Sequence, residues 1–418
     1  MIKRQERRME SVVAVAKSSS AEYDKVDFRG LLVQVIEHLK GAGIPFPHSG
    51  TVFIKPNVVI GAGASEGITT DPHFISALIE LLWDNGVRSV FVGDSSASYL
   101  KSLDTFRATG MDRAVREAGG IPVDIDDPTE RVSVPLIESD ILESITVPRK
   151  ALEADCLINF GKLKTHRVGS FTCCVKNWVG FVDQEVRLQN HQTRLPKLVS
   201  ELHQVLPEDL CFGDGIIVGE GDGPDLCKPR FLGVLLASND PVAIDAIGAQ
   251  MLGIDRHDLI FPWTAYLDGV GEIDRARIRI IGNLPEEEIA IKVEKPLETL
   301  YNRFPCHVVL GGMCEGCFAW FMGPALFWLR DGIWELINKN VGTPTIMLGF
   351  NAVDRNFEKH LGEGPYFVIG DCTPIDFQKD PRTVFIPGCC PGPAIPSTIL
   401  KTCQITPKEV LNEQIADN

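Results

Sequence analysis

The sequence predicts an α/β protein: a parallel-sheet N-terminal domain followed by a smaller C-terminal α/β domain carrying clustered cysteines. Three observations lead there. Apolar, β-branched runs alternate with stretches of helical periodicity from residue 12 onward, the pattern of βαβ units and hence of a parallel sheet. Four similar apolar runs, HVVLGG, TIMLGF, YFVIGD and TVFIPG, recur in the last third. With 418 residues the chain exceeds one ordinary core. A charged, poorly patterned stretch at about 283–303 reads as a connector, which gives domains at 1–290 and 300–418.

The elements follow in order. VVAVA (12–16) is a first strand, and RGLLVQVIEHLK (29–40) has helical spacing with Gly41 and Gly43 as stop signals. TVFIKPNVVI (51–60) is a buried strand whose regular pairing ends at Pro56. Residues 72–85 form a helix with Asp71 as its cap and Pro72 in the first helical position. VRSVFVGDSS (87–96) is a strand entering a small polar loop. DCLINFGKLKTH (155–166) is a strand followed by a basic loop, and LCFGDGIIVGEGDGP (210–224) a strand entering a Gly/Asp-rich loop. RFLGVLLASND (230–240) is a strand, and the helix 241–253 opens with Asp240 as cap and Pro241 behind it. The four C-terminal runs read as sister strands of one parallel sheet. FAWFMGPALFWLRDGIWELIN (318–338) reads as one helix whose aromatics Trp320, Phe327 and Trp328 shield a nearby centre from water.

Composition removes several classes. The net charge of −15 argues against nucleic-acid binding, which needs a basic face. The charged start MIKRQERRME is not followed by an apolar segment, so no signal peptide is read. The apolar run 316–329 is too short to span a bilayer, and 383–400 is broken by four prolines. A cytoplasmic protein without membrane or nucleic-acid partners is expected.

Twelve cysteines in such a chain point to metal ligation or redox work rather than disulfides. Three of the C-terminal strands end in glycine and then cysteine, leading to Cys314, to Cys372 and to the adjacent Cys389 and Cys390. Cys314 and Cys317 form a C-x-x-C pair. Parallel strands put these sites on one sheet edge, where open α/β sheets bind ligands. Cys314, Cys317 and Cys372, with Cys389 or Cys390, are therefore the candidate ligands of a 4Fe–4S cluster. Zinc accepts four cysteines too and is the alternative. Cys156, Cys211, Cys227 and Cys306 read as small buried hydrophobes. Cys173 and Cys174 read the same way, although Lys176 beside them would lower a thiol pKa.

A basic constellation comes second. Lys55 leaves one strand end; Lys162, Lys164 and His166 follow another; Lys176 and Asn177 come ten residues later. On neighbouring parallel strands these side chains reach one place and suit a carboxylate or phosphate. Lys164, His166 and Lys176 are the candidates for proton transfer, because cations held together lower one another's pKa. Lys55, Asn57, Lys162 and Asn177 would hold the anion, with Asp94 and Asp214 balancing charge. A solvated loop with scattered lysines and an Asx turn at Asp214 are the plainer alternatives.

The motifs IKPN (54–57), TDP (70–72), VGDSS (92–96), KLKTH (162–166), CCVKNWVG (173–180), GDG and EGDGP (213–223) and SNDPVAIDAIGAQMLG (238–253) together resemble the family catalogued as domain of unknown function 362, over about residues 50–270. The resemblance implies an α/β fold and association with iron–sulfur clusters. The chain departs from the family's ferredoxin-like pattern, because it lacks a C-x-x-C-x-x-C-x-x-x-C-P run.

An iron–sulfur oxidoreductase acting on a small anionic molecule at the domain interface, served by a redox partner protein, is the leading expectation. The alternatives are a non-catalytic electron-transfer or cluster-carrier protein and a lyase using an open iron site.

Overall fold

A computed structural model describes residues 10–97, 100–136, 139, 141–166, 169–190, 195–282, 290–294, 304–310, 315–349, 352–389 and 391–406. The chain divides into two compact units, residues 1–189 with 194–296, and residues 190–193 with 297–418.

The first unit is built on a nine-stranded sheet. Its strands are β1 (Ser11–Lys17), β2 (Thr51–Lys55), β3 (Ser89–Val92), β4 (Ile121–Pro122), β7 (Cys156–His166), β8 (Ser170–Thr172), β9 (Leu210–Asp222), β10 (Leu226–Ser238) and β11 (Ile278–Gly282). The order is β11-β1-β10-β9-β7-β2-β3-β4, with β8 paired to the end of β7. Neighbours run parallel except where β10 lies between β1 and β9, and at β8. A separate antiparallel pair joins β5 (Arg131–Pro135) and β6 (Ser144–Pro148).

Both faces of this sheet are covered, and β1 shows how. Val13 and Val15 belong to one core, while Val12, Ala14 and Ala16 belong to the other, the alternation that a pleated strand imposes. Helices Phe28–Gly41 and Pro72–Asp84 pack on the second face. Helices Leu195–Val205, Pro241–Met251 and Ile260–Leu267 pack on the first. The caps read from sequence are made: Asp71 accepts from the His73 N–H, and Asp240 from those of Val242 and Ala243.

Two strands run further than expected. The "basic loop" after 155–161 is the second half of β7, and the Gly/Asp-rich stretch after 210 is the second half of β9. Tertiary pairing overrides the local turn chemistry here, because β9 forms a long antiparallel hairpin with β10 and β7 pairs with both β9 and β8. Most of the expected connector, 283–289 and 295–303, lies outside the described residues.

The second unit holds a four-stranded sheet of β12 (His307–Leu310), β13 (Thr345–Leu348), β14 (Tyr366–Ile369) and β15 (Thr383–Ile386), in that order and parallel throughout. These are the four recurring apolar runs. The helix read at 318–338 is two helices, Glu315–Arg330 and Ile333–Val341, separated at Gly332, whose φ of 68° no right-handed helix accepts.

Candidate functional site

The centre of the first unit grows out of strand alternation. On β7 the residues Ile158, Phe160, Lys162 and Lys164 share one face; on β9 so do Leu210, Phe212 and Asp214. The apolar members fill the core beneath helix Pro72–Asp84. The polar members follow toward the carboxyl ends, and Lys162 stands directly opposite Asp214 in register. Their salt bridge is 2.8 Å long, with both side chains about 1% exposed or less. Asp214 also accepts the N–H groups of Asp71 (2.9 Å) and Ile216 (3.0 Å). Burial pushes its carboxyl up and Lys162 pulls it down. The Asp71 carboxylate beside it accepts from Tyr23 Oη (2.5 Å) and lies 2.8 Å from His73 Nδ1.

Lys55 leaves β2 on the other face, next to Asn159 of β7 in register. Its ammonium donates to Asp94 Oδ1 (2.5 Å), Asn177 Oδ1 (3.1 Å) and the Pro56 carbonyl (3.3 Å). Burial drives both Lys55 and Asp94 toward their neutral forms. Against this, Asp94 accepts from Lys55 and from the N–H groups of Val58 (2.6 Å) and Ser95 (2.9 Å), which favours the carboxylate. Gly180 makes room for the pair: a Cβ there would stand 2.2 Å from Asp94 Oδ1.

The two faces meet round the carboxyl edge of the sheet. Asn57 Nδ2 donates to Asn177 Oδ1 (3.2 Å), and Asn177 Nδ2 donates to Asn159 Oδ1 (2.9 Å). Lys164 donates to Asn57 Oδ1 (2.8 Å) and to the Ile68 carbonyl (2.6 Å). Both acceptors are neutral, and the lysine is fully buried. Burial first, then the positive charges of Lys176 and Lys162, bring its pKa down to about 8, against a partial upward pull from Cys227 and Asp225.

Lys55, Asn57, Lys162, Lys164, Asn177, Asp94 and Asp214 therefore lie together at one sheet edge, the lysines on β2 and β7 rather than in a solvated loop. His166 ends β7, buried, and accepts the Gly169 N–H on Nδ1 (3.2 Å). Lys176 is half-buried, with its ammonium 5.2 Å from the centre of the Phe261 ring. Asn57 and Lys176 are the half-buried members through which the centre approaches solvent. A cavity of about 280 Å³ between Ile247, Gln250, Arg256, His257 and Arg275 involves none of these residues. Sequence reading missed Tyr23, Asn159 and Arg187. Arg187 is 5% exposed in helix Gln184–Asn190 and donates to Ser95 Oγ and to the Ser96 carbonyl (3.1 Å).

A second buried group lies nearby. One ligand atom each of Cys173, Cys174 and Asp245 falls within 4.8 Å of the others. The two sulfurs are 3.7 Å apart, and Asp245 accepts the N–H groups of Cys174 (2.6 Å) and Val175 (3.1 Å). Burial resists ionisation of Cys174, but hydrogen bonds from Cys173 and Cys211 hold its thiol down at about 6. Two thiols and a carboxylate suit a borderline-soft cation such as zinc. The packing role read for these cysteines is also visible, since a Cβ on Gly161 or Gly213 would press on Cys173.

In the second unit, Cys372 and Cys389 follow the ends of the adjacent strands β14 and β15, and both are exposed. The backbone turns there at Gly370 (φ 90°) and Gly388 (φ 121°). The two loops are joined, because Asp371 N–H donates to the Gly388 carbonyl (3.2 Å) and Gly388 N–H to Asp371 Oδ1 (2.8 Å). Cys314 and Cys390 lie outside the described residues, as does the side chain of Cys317. Trp328 is buried, whereas Trp320 is 37% and Phe327 58% exposed. Trp320 lies against Gly392, in the loop after Cys389.

The first unit is thus an α/β protein with a buried lysine–aspartate–asparagine centre at the carboxyl edge of a mainly parallel sheet. Residues 52–250 match the family model described as domain of unknown function (DUF362), so the resemblance read from the motifs holds over that segment. A thylakoid-associated protein of Synechocystis sp. (strain PCC 6803) is 28% identical over 260 residues, covering 58% of this chain and 76% of its own. The lactate racemase apoprotein from Thermoanaerobacterium thermosaccharolyticum superposes with a TM-score of 0.33 and 10% identity, over 95% of this chain and 92% of its own, a likeness too loose to define shared chemistry. Among the described residues, no helix is long and apolar enough to cross a membrane.

Proposed function

We propose that the protein is an iron–sulfur enzyme in which the lysine centre of the first unit binds a small anionic molecule and Lys164 transfers a proton to or from it. The state of Lys164 carries this reading. A lysine buried among neutral acceptors with its pKa near 8 exchanges a proton close to neutrality, which a lysine of ordinary pKa does not. Lys55 and Lys162 are paired with Asp94 and Asp214, so they fix the framework and the field around Lys164. Asn57, which accepts from Lys164 and is half-buried, stands where the anion would meet the ammonium.

The second unit supports the cluster. Exposed thiols after adjacent parallel strands, on loops turned by glycine, fit the donor chemistry of a 4Fe–4S centre held by Cys314, Cys317, Cys372 and Cys389 or Cys390. When bound, the cluster supplies one-electron chemistry, which makes a redox reaction the leading class.

Protein purified without oxygen is expected to be brown, to contain iron and sulfide, and to bleach on reduction. Colourless protein with bound zinc overturns the cluster. Screened against small carboxylates and phosphates, the reduced protein is expected to turn over one class, and Lys164→Met to keep the colour but lose that turnover. Undiminished turnover in Lys164→Met removes this lysine from the chemistry. Colour without turnover of any compound leaves an electron carrier.

A further inference from the structure

The lysines expected to grip the anion are already engaged: Lys55 and Lys162 with carboxylates, Lys164 with two neutral oxygens. The donors left over lie one step along, in the loop after β3. Ser96 is 1% exposed and its Oγ has no hydrogen-bond partner. Arg187 donates Nη1 to the Ser96 carbonyl and Nη2 to Ser95 Oγ, while its Nε is buried and has no partner either. A buried donor left unmade is costly, and two on residues that hydrogen-bond each other are rarely left so without a ligand or water between them.

The surroundings are those of a ligand site. The loop continues from a parallel strand at the sheet's carboxyl edge. It follows directly on Asp94, the partner of Lys55. Lys55, Arg131 and Arg187 face Asp94, Asp126 and Asp183 here. These carboxylates have other donors: Asp126 Oδ2 accepts from Ser102 Oγ and Gln184 Nε2 (3.1 Å), Asp183 Oδ1 from the Glu185 N–H (2.9 Å), and Asp94 from Lys55 and two N–H groups. None of them lies within hydrogen-bond reach of Arg187 Nε.

We propose that Arg187 Nε and Ser96 Oγ form the docking point for the oxyanion group of the ligand, a carboxylate or a phosphate. An N–H and an O–H donor can each take one oxygen of a carboxylate or phosphate, and the guanidinium supplies the charge. This rests on the reading of the lysine centre as an anion site and adds which residues hold the anion while Lys164 meets the reacting part.

The test is calorimetric titration of the native chain with inorganic phosphate and, separately, with acetate, repeated on Ser96→Ala and Arg187→Lys. The stronger of the two anions in the native chain names the group. Both variants are expected to weaken it about tenfold or more, the usual cost of one hydrogen bond to a charged group. The hydroxyl has no internal partner, so Ser96→Ala is expected to keep or raise the Tm of the free protein. Undiminished binding in both variants overturns the docking point and leaves the lysine reading standing; water then fills the two donors. A lowered Tm in Ser96→Ala overturns it too, by showing that the hydroxyl is satisfied within the protein. Failure of the native chain to bind either anion overturns both readings.

Discussion

The behaviour of the site turns on one ammonium group. Lys164 has a pKa of about 8 in the folded chain against an ordinary value of 10.5, chiefly because burial penalises its charge. Between those values the unfolded chain still holds a proton that the folded chain has released. Stability contributed through Lys164 therefore rises with pH across that window and is flat below it, by about 3 kcal/mol in total. Burial shifts other groups of this unit too, lowering Lys55 and raising Asp94 and Asp214, so the native chain must be compared with Lys164→Met. The difference in unfolding free energy, from urea titrations at pH 7, 8, 9 and 10, is expected to climb in the native chain's favour above pH 8. A difference that stays level to pH 10 shows that Lys164 titrates at its ordinary value. The other residues of the centre were legible because Lys55, Lys162, Lys164, Asn57 and Asn177 stand at or after apolar runs, where solvated lysines are not expected. Arg187 was not: it sits in a short helix of mixed composition, and its role arises from Ser95 and Ser96, about ninety residues earlier in the chain.

Among the elements, the short 3-10 helix Lys176–Phe181 does what a strand cannot. It brings Asn177 against the Lys55 and Pro56 carbonyls and lays Gly180 over the Lys55–Asp94 pair. A Cβ at Gly180 would come 2.2 Å from Asp94 Oδ1 and 2.8 Å from Lys55 Nζ, neither of which can retreat within a filled core. Gly180→Ala is expected to destabilise the fold by about 3 kcal/mol, combining overpacking with disruption of a buried ion pair. A loss below about 1 kcal/mol in urea titration shows that the pair relaxes freely. Element boundaries were the weaker part of the sequence reading, and the reasons are specific. Glycine and aspartate at 213–222 look like a loop, yet pairing with β10 on one side and β7 on the other keeps them extended. The mainly parallel sheet holds one long antiparallel member, because the connection from Asp222 into β10 is a tight hairpin rather than a helical crossover. In the second unit the break at Gly332 was present in the string but hidden within a long apolar stretch.

At the scale of the molecule, the two proposed chemistries fall on two scaffolds. The lysines, asparagines and aspartates of the centre lie between Lys55 and Asp214, and the candidate cluster ligands between Cys314 and Cys390, in different units. Damage to each should therefore be separable. Cys372→Ser is expected to lose the visible absorbance and most of the iron of the anaerobically purified protein. The pH dependence attributed to Lys164 should survive in that variant, since every group that sets it, from Asn57 and Ile68 to Lys162 and Lys176, belongs to the first unit. In Lys164→Met the converse should hold: full colour and iron, with the rise in stability above pH 8 gone. The paired measurement is iron content together with the pH series of urea titrations on both variants. Loss of iron in Lys164→Met would show that the lysine supports the cluster, and the division of labour between the two units would fall. Retention of full colour in Cys372→Ser would remove this cysteine from the ligand set and leave the cluster reading to Cys314, Cys317, Cys389 and Cys390.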